Sequence, residues 1–581
     1  MSDPVGDPVS DLARRIAPHL ELCYPDDHAE VTRRLVALAE AYAARSGQRP
    51  VEPPTHRTGY LITYGDGIRR RGEAPLHTLA GFLHEHVRDL LSDVHLLPIF
   101  PWTSDDGFSV VDHRVVNPAL GSWDDVGDLA AERGVMLDFV ANHTSAASPW
   151  FRGWLAGDHG PARYLAREPG FDVSHVVRPR TTPLFHPFRR PDGGEVEAWT
   201  TFGPDQVDVD VRDPRTLEEL TDVLLGYLER GATAVRLDAI GFLWKESGTS
   251  CLHLPQTHAV IKTWRALVEH VAPGARLLTE TNVPHAENIS YFGDGSDEAH
   301  LVYQFALPPL VLHSFVAGST ARLSSWAAGV GPVSDTATWF NFLASHDGIG
   351  LRATEGILDD AERGALVERT RSHGGEVSWA ARPDGRRSVY ELNLGYLDAL
   401  CTPDEARDPD VLVAKALAAH SILLTVLGVP AVYLHSLVGS PPDLDGMVSS
   451  RINRRINRAV LDADRLAAEL RDDPRRRGVL TGLTHLLDVR RRHDAFSPFG
   501  TQRVEHLDDR VFAVRRGEGT RGELLCVTNV TGEQVRLAVG GSDVLTGAVV
   551  DPLVLGPWGA AWVRPTRVHE LPAADAPAGD H

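Results

Sequence analysis

Eight short apolar runs alternate with helix-like stretches along this 581-residue chain, and that alternation sharply limits the folds open to it. The runs are GYLITYG (59–65), DVHLLPIF (93–100), GVMLDFV (134–140), TAVRLDAI (233–240), ARLLTET (275–281), LVYQFAL (301–307), TWFNFLA (338–344) and VPAVYLH (429–435). Between them lie stretches such as LEELTDVLLGYLERG and HAVIKTWRALVEHV, whose apolar residues recur at helical spacing. A strand that is apolar nearly throughout has both faces covered, as in a parallel sheet flanked by helices. Eight such units predict an α/β protein built on a (β/α)8 TIM barrel.

The remainder divides around that barrel. Residues 1–56 read as an N-terminal helical extension, carried by DHAEVTRRLVALAEAYAARSG and followed by the linker PVEPPTHR. The barrel then occupies 57–494, with a subdomain inserted after strand 3 at about 144–216, an interval too long for a single helix. Between strands seven and eight, residues 348–428 read as long loops such as RSHGGEVSWAARPDG. Beyond 495 the pattern shifts to short alternating strands (RVFAVRRG, ELLCVTNVTG, QVRLAVG, GAAWVRP), predicting a C-terminal antiparallel β-domain over 495–566. The acidic, Ala- and Pro-rich residues 567–581 read as disordered.

Charge narrows the partners. There are 58 basic against 79 acidic residues, a net charge of −21, and no basic stretch offsets it, so nucleic acid and anionic membrane are excluded as partners. The four cysteines (Cys23, Cys251, Cys401, Cys526) are scattered without C-x-x-C spacing, which fits neither a disulfide framework nor a zinc site. The first residues carry early acids and no apolar core of a secretory signal, and SILLTVLGVPAVYLHSL is cut by Gly428 and Pro430, so the chain reads as cytoplasmic. No P-loop is present, and the segment around Ser250 lacks the trailing glycine of a nucleophile elbow. The sequence does not set an oligomeric state, and a homodimer is compatible with it.

Four acids stand at the ends of these runs: Asp138, Asp238, Glu280 and Asp347. Three have a His or Arg close by in sequence: Asp138 with His143, Asp238 with Arg236, Asp347 with His346. An ionised carboxylate is costly to bury unless it is paired or working, and barrel enzymes collect their working residues at strand exits. Paired carboxylates suit glycosyl transfer, one attacking the anomeric carbon while the other moves the proton. Arg236 shares a strand face with Asp238 and would keep it ionised, whereas Glu280, between two threonines, suits the protonated role.

VMLDFVANH, VRLDAI, LLTETN and FLASHD resemble, in order, the four signature regions of the α-amylase family (glycoside hydrolase family 13). FPWTSDDGFSVVDH, RLDAIGFLWKESGTSCLHLPQTH and FLASHDGIGL are similar to its sucrose phosphorylase-like branch, over roughly residues 58–500. Within that branch, the N-terminal extension, WFNFLASHDGIGL and the RRINR segment look most like the glucosylglycerate phosphorylases. The resemblance implies Asp238 as nucleophile, Glu280 as general acid/base and Asp347 as the carboxylate that grips sugar hydroxyls. It implies glucose contacts from His143 and His346, support of the nucleophile by Arg236, a pair of Asp105 with Arg454 closing the pocket, and an apolar platform at Phe202 beside Gln206. No cofactor is implied, and no calcium set is evident, although Asn142 alone can be read that way.

A phosphorylase must hold phosphate where a hydrolase admits water, and Arg offers a bidentate fork for it. The segment VVRPRTTPLF supplies Arg178 and Arg180; the resemblance favours Arg180, on a mobile loop that meets phosphate. Lys245 and Trp244 are expected on the acceptor side, with a place in the core as the equal alternative for Trp244, and the glycines of His373–Glu376 suggest a lid. The expected substrates are a small α-glucoside and inorganic phosphate. An anionic glycerate acceptor would require one more cation, which the sequence does not identify. Phosphorolysis of sucrose, sucrose 6'-phosphate or glucosylglycerol, hydrolysis or transglycosylation, and sugar binding without turnover are the alternatives.

Overall fold

A computed structural model describes residues 8–46, 50–158, 160, 162–381 and 387–565. Eight parallel strands close a barrel: β1 (Tyr60–Thr63), β2 (Asp93–Leu96), β3 (Gly134–Phe139), β4 (Ala234–Leu237), β5 (Arg276–Thr279), β6 (Leu301–Tyr303), β7 (Thr338–Asn341) and β8 (Val429–Tyr433). Each lies within one of the eight apolar runs. Each strand pairs with the next, and β8 closes on β1 with Ala431 opposite Tyr60. The strands are short and buried on both faces, which is why they read as continuous apolar runs.

Two N-terminal helices, α1 (Pro8–Cys23) and α2 (His28–Ser46), pack on the outside of the barrel against its helices Pro255–Val271 and Pro214–Glu229. Ile16, Leu20, Val31 and Leu35 are fully buried there. Polar ties reinforce the seam: Arg15 meets Glu269 at 2.6 Å, and the Tyr42 hydroxyl donates to Asp222 at 2.8 Å. After β3 the chain leaves the barrel to form a small subdomain. It pairs His143–Ser145 with Gln206–Asp208 and Phe185–Arg189 with Glu195–Trp199, around a core that includes Leu165, Phe185 and Trp199.

The interval between β7 and β8 differs from its reading as long loops. It holds helices Asp360–Ser372 and Pro409–Thr425 and a three-stranded antiparallel sheet of Ile349–Gly350, Arg387–Asn393 and Glu376–Ala381. Within RSHGGEVSWAARPDG the first residues end a helix and EVSWAA is a strand; residues 382–386 lie outside the described residues. The strand forms because Val377 and Trp379 find partners in Leu392 and Val389, a pairing that no local pattern announces. A C-terminal antiparallel sheet of six strands follows, running from Gln502–Glu505 to Ala560–Pro565 and docked on the barrel through Trp562 and Phe496, whose rings lie 5.0 Å apart. The acidic tail expected to be disordered lies outside the described residues. Among them, no helix is long and apolar enough to cross a membrane.

Candidate active site

Register places the central acids. Arg236 on β4 sits opposite Asp138 on β3 and opposite Leu278 on β5. Side chains alternate along a strand, so Asp238 and Glu280, each two residues further on, point the same way at neighbouring strand exits. The ladder continues that far, with the Glu280 amide donating to Leu237 O at 3.2 Å. Directly after Asp238, Ala239 adopts a left-handed backbone, φ 48°, which a non-glycine residue rarely accepts. That turn aims its N–H at Glu280 Oε2, 2.9 Å away, tying the two strand exits together.

Beneath Asp238 runs a buried chain of ionic bonds. His95 Nε2 donates to Asp138 Oδ2 at 2.8 Å; Asp138 Oδ1 accepts from Arg236, and the same Arg236 nitrogen reaches Asp238 Oδ1 at 2.8 Å. Neither His95 nor Asp138 exposes any side-chain surface. Asp138 therefore holds Arg236 in place under Asp238, away from the cavity. Burial pushes both Asp238 and Glu280 above the usual carboxylate range; for Asp238 the Glu280 charge adds to this, and for Glu280 the Asp347 charge. Arg236 opposes the shift at both, and it bonds directly to Asp238 alone.

Across the cavity, Asp347 leaves β7 in a segment pinned by NRRINR. Arg458 Nε donates to His346 O at 2.8 Å, Asn457 to Asp347 O at 3.2 Å, and Arg454 meets Asp347 Oδ1 at 2.7 Å. Arg454 also grips Glu391, on the new hairpin, through two bonds of 3.0 and 2.6 Å. The His346 ring stacks on Phe108 at 4.7 Å, and burial holds it well below its ordinary pKa, hence neutral. His143 Nε2 lies 3.0 Å from Phe108 O and 3.2 Å from the Gln206 amide, and its ring meets Phe202 at 5.2 Å.

Together these groups line one cavity of about 680 Å³, open at its mouth, whose walls include Asp105, His143, Phe202, Gln206, Asp238, Glu280, His346, Asp347 and Arg454. Arg180 lines the same cavity, its guanidinium 5.4 Å from the centre of the Tyr390 ring. Phe108, Asn282, Arg352 and Tyr390 also line it and escaped sequence reasoning. Phe108 stood inside the SDDGF motif, a usable signal. Tyr390 and Arg352 stand between β7 and β8, where the sheet was not legible.

Four expectations need correction, and one open alternative, at Trp244, is resolved. Asp105 and Arg454 do not pair: Arg454 is engaged by Asp347 and Glu391, and the nearest cation to Asp105 is Arg458 at 3.7 Å. Asp105 and Asp106 instead adopt left-handed backbone (φ 53° and 48°), and Asp106 anchors the strained turn on Arg455 and Arg458 at 2.7 and 2.9 Å. Lys245 is buried off the cavity, its ammonium 2.7 Å from both Asp208 and Asn142 Oδ1; it compensates the buried Asp208 carboxylate and occupies the Asn142 oxygen. Trp244 packs edge-on against Tyr24 of the N-terminal extension, in the core. Arg178 folds back onto Thr182 O and does not line the cavity, and His373–Glu376 is a tight turn, with His373 2.9 Å from Cys401 O, and not a lid over the mouth. Among the described residues no cluster of side chains could hold a metal ion.

Residues 86–347 match the family model described as alpha amylase, catalytic domain. The chain is 44% identical over 555 residues to a glucosylglycerate phosphorylase from Allomeiothermus silvanus, covering 95% of this chain and 99% of that one. It is 31% identical to a sucrose phosphorylase from Agrobacterium vitis, over 75% and 88% of the two chains. Its fold matches the crystal structure of a sucrose 6F-phosphate phosphorylase from Thermoanaerobacter thermosaccharolyticum with a TM-score of 0.72 at 23% identity, covering 86% of this chain and 98% of that one.

Proposed function

This chain belongs to the sucrose phosphorylase-like branch of the α-amylase family (glycoside hydrolase family 13), and we propose that it is a retaining phosphorylase that converts 2-O-α-glucosyl-D-glycerate and phosphate into α-glucose 1-phosphate and D-glycerate. The observation that carries the reading is the pairing of two carboxylates, Asp238 and Glu280, at adjacent strand exits with a cavity wall bearing an arginine free of acid partners among the described residues, Arg180. In the first step the Asp238 carboxylate attacks C1 of glucose while Glu280 passes its proton to the glycosidic oxygen; glycerate leaves and a β-glucosyl ester remains. In the second step phosphate, held by Arg180, occupies the vacated place and gives its proton to Glu280 as its oxygen attacks C1, which restores the α configuration. Asp347, steered by Arg454, grips sugar hydroxyls and stabilises positive charge developing at the ring. Neutral His143 and His346, with Asp105, complete the glucose contacts over the platform of Phe202 and Phe108. A cytoplasmic setting suits the four cysteines, all free and buried.

A screen in the synthetic direction tests this function. Purified protein is given α-glucose 1-phosphate with D-glycerate, glycerol, fructose or fructose 6-phosphate, and phosphate release is measured. Release with D-glycerate well above the others is expected. Release with fructose but not glycerate overturns the acceptor, and glucose release independent of any acceptor overturns phosphorolysis in favour of hydrolysis.

A further inference from the structure

We infer that Arg352 and Asn282 form the acceptor clamp, Arg352 holding the glycerate carboxylate and Asn282 accepting from one of its hydroxyls. The inference rests on the proposed reaction and deepens it. The cavity already carries Asp105, Asp238, Glu280 and Asp347, so an anionic acceptor enters against like charge unless a cation meets it. Three arginines line the cavity. Arg454 is neutralised by Asp347 and Glu391, which leaves Arg180 and Arg352 as the lining cations without an acid partner among the described residues.

The two stand on different elements. Arg180 belongs to the inserted subdomain and rests over Tyr390, while Arg352 opens a short 3-10 turn just after strand Ile349–Gly350, on the β7 side. One place on the reaction path accepts glycerate and phosphate in turn, and two separately mounted guanidiniums let each anion keep its own bidentate partner. Asn282 supplies the second observation. Its Oδ1 is buried with no hydrogen-bond partner, although its side chain borders the cavity. Its amide is pressed against Gly350, where a Cβ would stand 2.4 Å from Asn282 Nδ2. Gly350 therefore keeps open the place that Asn282 fills, two residues before Arg352.

The test compares D-glycerate with glycerol, the same carbon chain without the carboxylate, as acceptors for α-glucose 1-phosphate. Both are measured on each protein, so a partly misfolded preparation leaves their ratio intact. For Arg352→Ala the ratio of kcat/KM for D-glycerate over glycerol falls about 30-fold or more, mainly through the glycerate KM, as expected on losing a bidentate charged contact. Arg352→Lys restores part of that ratio, since it returns charge without the fork. Gly350→Ala lowers turnover with both acceptors by displacing Asn282. A ratio in Arg352→Ala within about 3-fold of the parent overturns the clamp. A parent protein that makes no product from D-glycerate overturns the proposed reaction itself, a different failure seen before any variant is made.

Discussion

Asp238 and Glu280 sit one strand apart and receive different treatment from the protein. Arg236, itself held by Asp138, bonds Asp238, whereas Glu280 receives only the Ala239 N–H. Glu280→Gln keeps the shape and removes the proposed proton donor, so kcat for phosphorolysis should fall about 100-fold to 10,000-fold. Its folding consequence has a definite sign. Burial and Asp347 raise the folded pKa of Glu280, so its favourable contribution is complete below the unfolded value of about 4.3 and is lost as the pH rises through the folded value. Thermal melts of Glu280→Gln should therefore exceed the parent at pH 8, with the difference vanishing near pH 4; equal melts at pH 8 would contradict that burial. These acids were legible in the sequence because each ends an apolar run, where a carboxylate is out of place unless it works. Arg352 was not, since an arginine on a connecting segment looks like any solvated side chain until the fold brings it to the cavity, and Asn282 ended the LLTETN region without a role being assigned to it.

At the level of elements, the eight barrel strands could be read because burial on both faces leaves an unbroken apolar signature. The hairpin of Glu376–Ala381 and Arg387–Asn393 could not, because its pairing is specified across a turn. That hairpin carries Tyr390 and Glu391, so an unread element hid the partner that draws Arg454 away from Asp105. The join between barrel and C-terminal sheet depends on a similar long-range device. Arg516, fully buried, donates to Thr425 O, Ser497 O and Thr501 O, and Arg490 donates to Leu424 O. Together they satisfy carbonyls at the C-terminus of helix Pro409–Thr425 that otherwise lack helical partners. Burial pulls the Arg516 guanidinium down to about 10 without an acid to neutralise it, so its hydrogen bonds are its compensation. Arg516→Met should lower unfolding free energy by about 2–4 kcal/mol in urea titrations, losing several bonds made by a charged donor. A change below about 0.5 kcal/mol would show that the carbonyls are served otherwise.

Taken whole, the molecule is a barrel clasped outside by α1 and α2, roofed by the inserted subdomain and the β7–β8 sheet, and buttressed by the C-terminal sheet. This much of the architecture follows from the order of apolar runs and the long interval after β3, with the β7–β8 sheet the exception. Folding also buries histidines that do not line the cavity. His113, His300 and His420 are each held down to about 4 by burial. A histidine with a lowered folded pKa leaves stability intact above its unfolded value of about 6.5 and takes it away as the pH falls toward the folded value. Each should contribute a slope of about 1.4 kcal/mol per pH unit between those limits. Chemical unfolding at a series of pH values should show a steep loss from pH 6.5 to 4, softened in the cavity by Asp238 and Glu280; a flat profile would contradict the burial of these rings.

The central claim, glucosyl transfer to phosphate through a β-glucosyl ester on Asp238, is open to one direct measurement. Protein is mixed with 2-O-α-glucosyl-D-glycerate and inorganic phosphate, and the anomeric proton and phosphorus signals of the first product are followed by NMR before any equilibration. α-Glucose 1-phosphate should accumulate mole for mole with D-glycerate. The β anomer, or free glucose in place of a phosphate ester, would contradict the account.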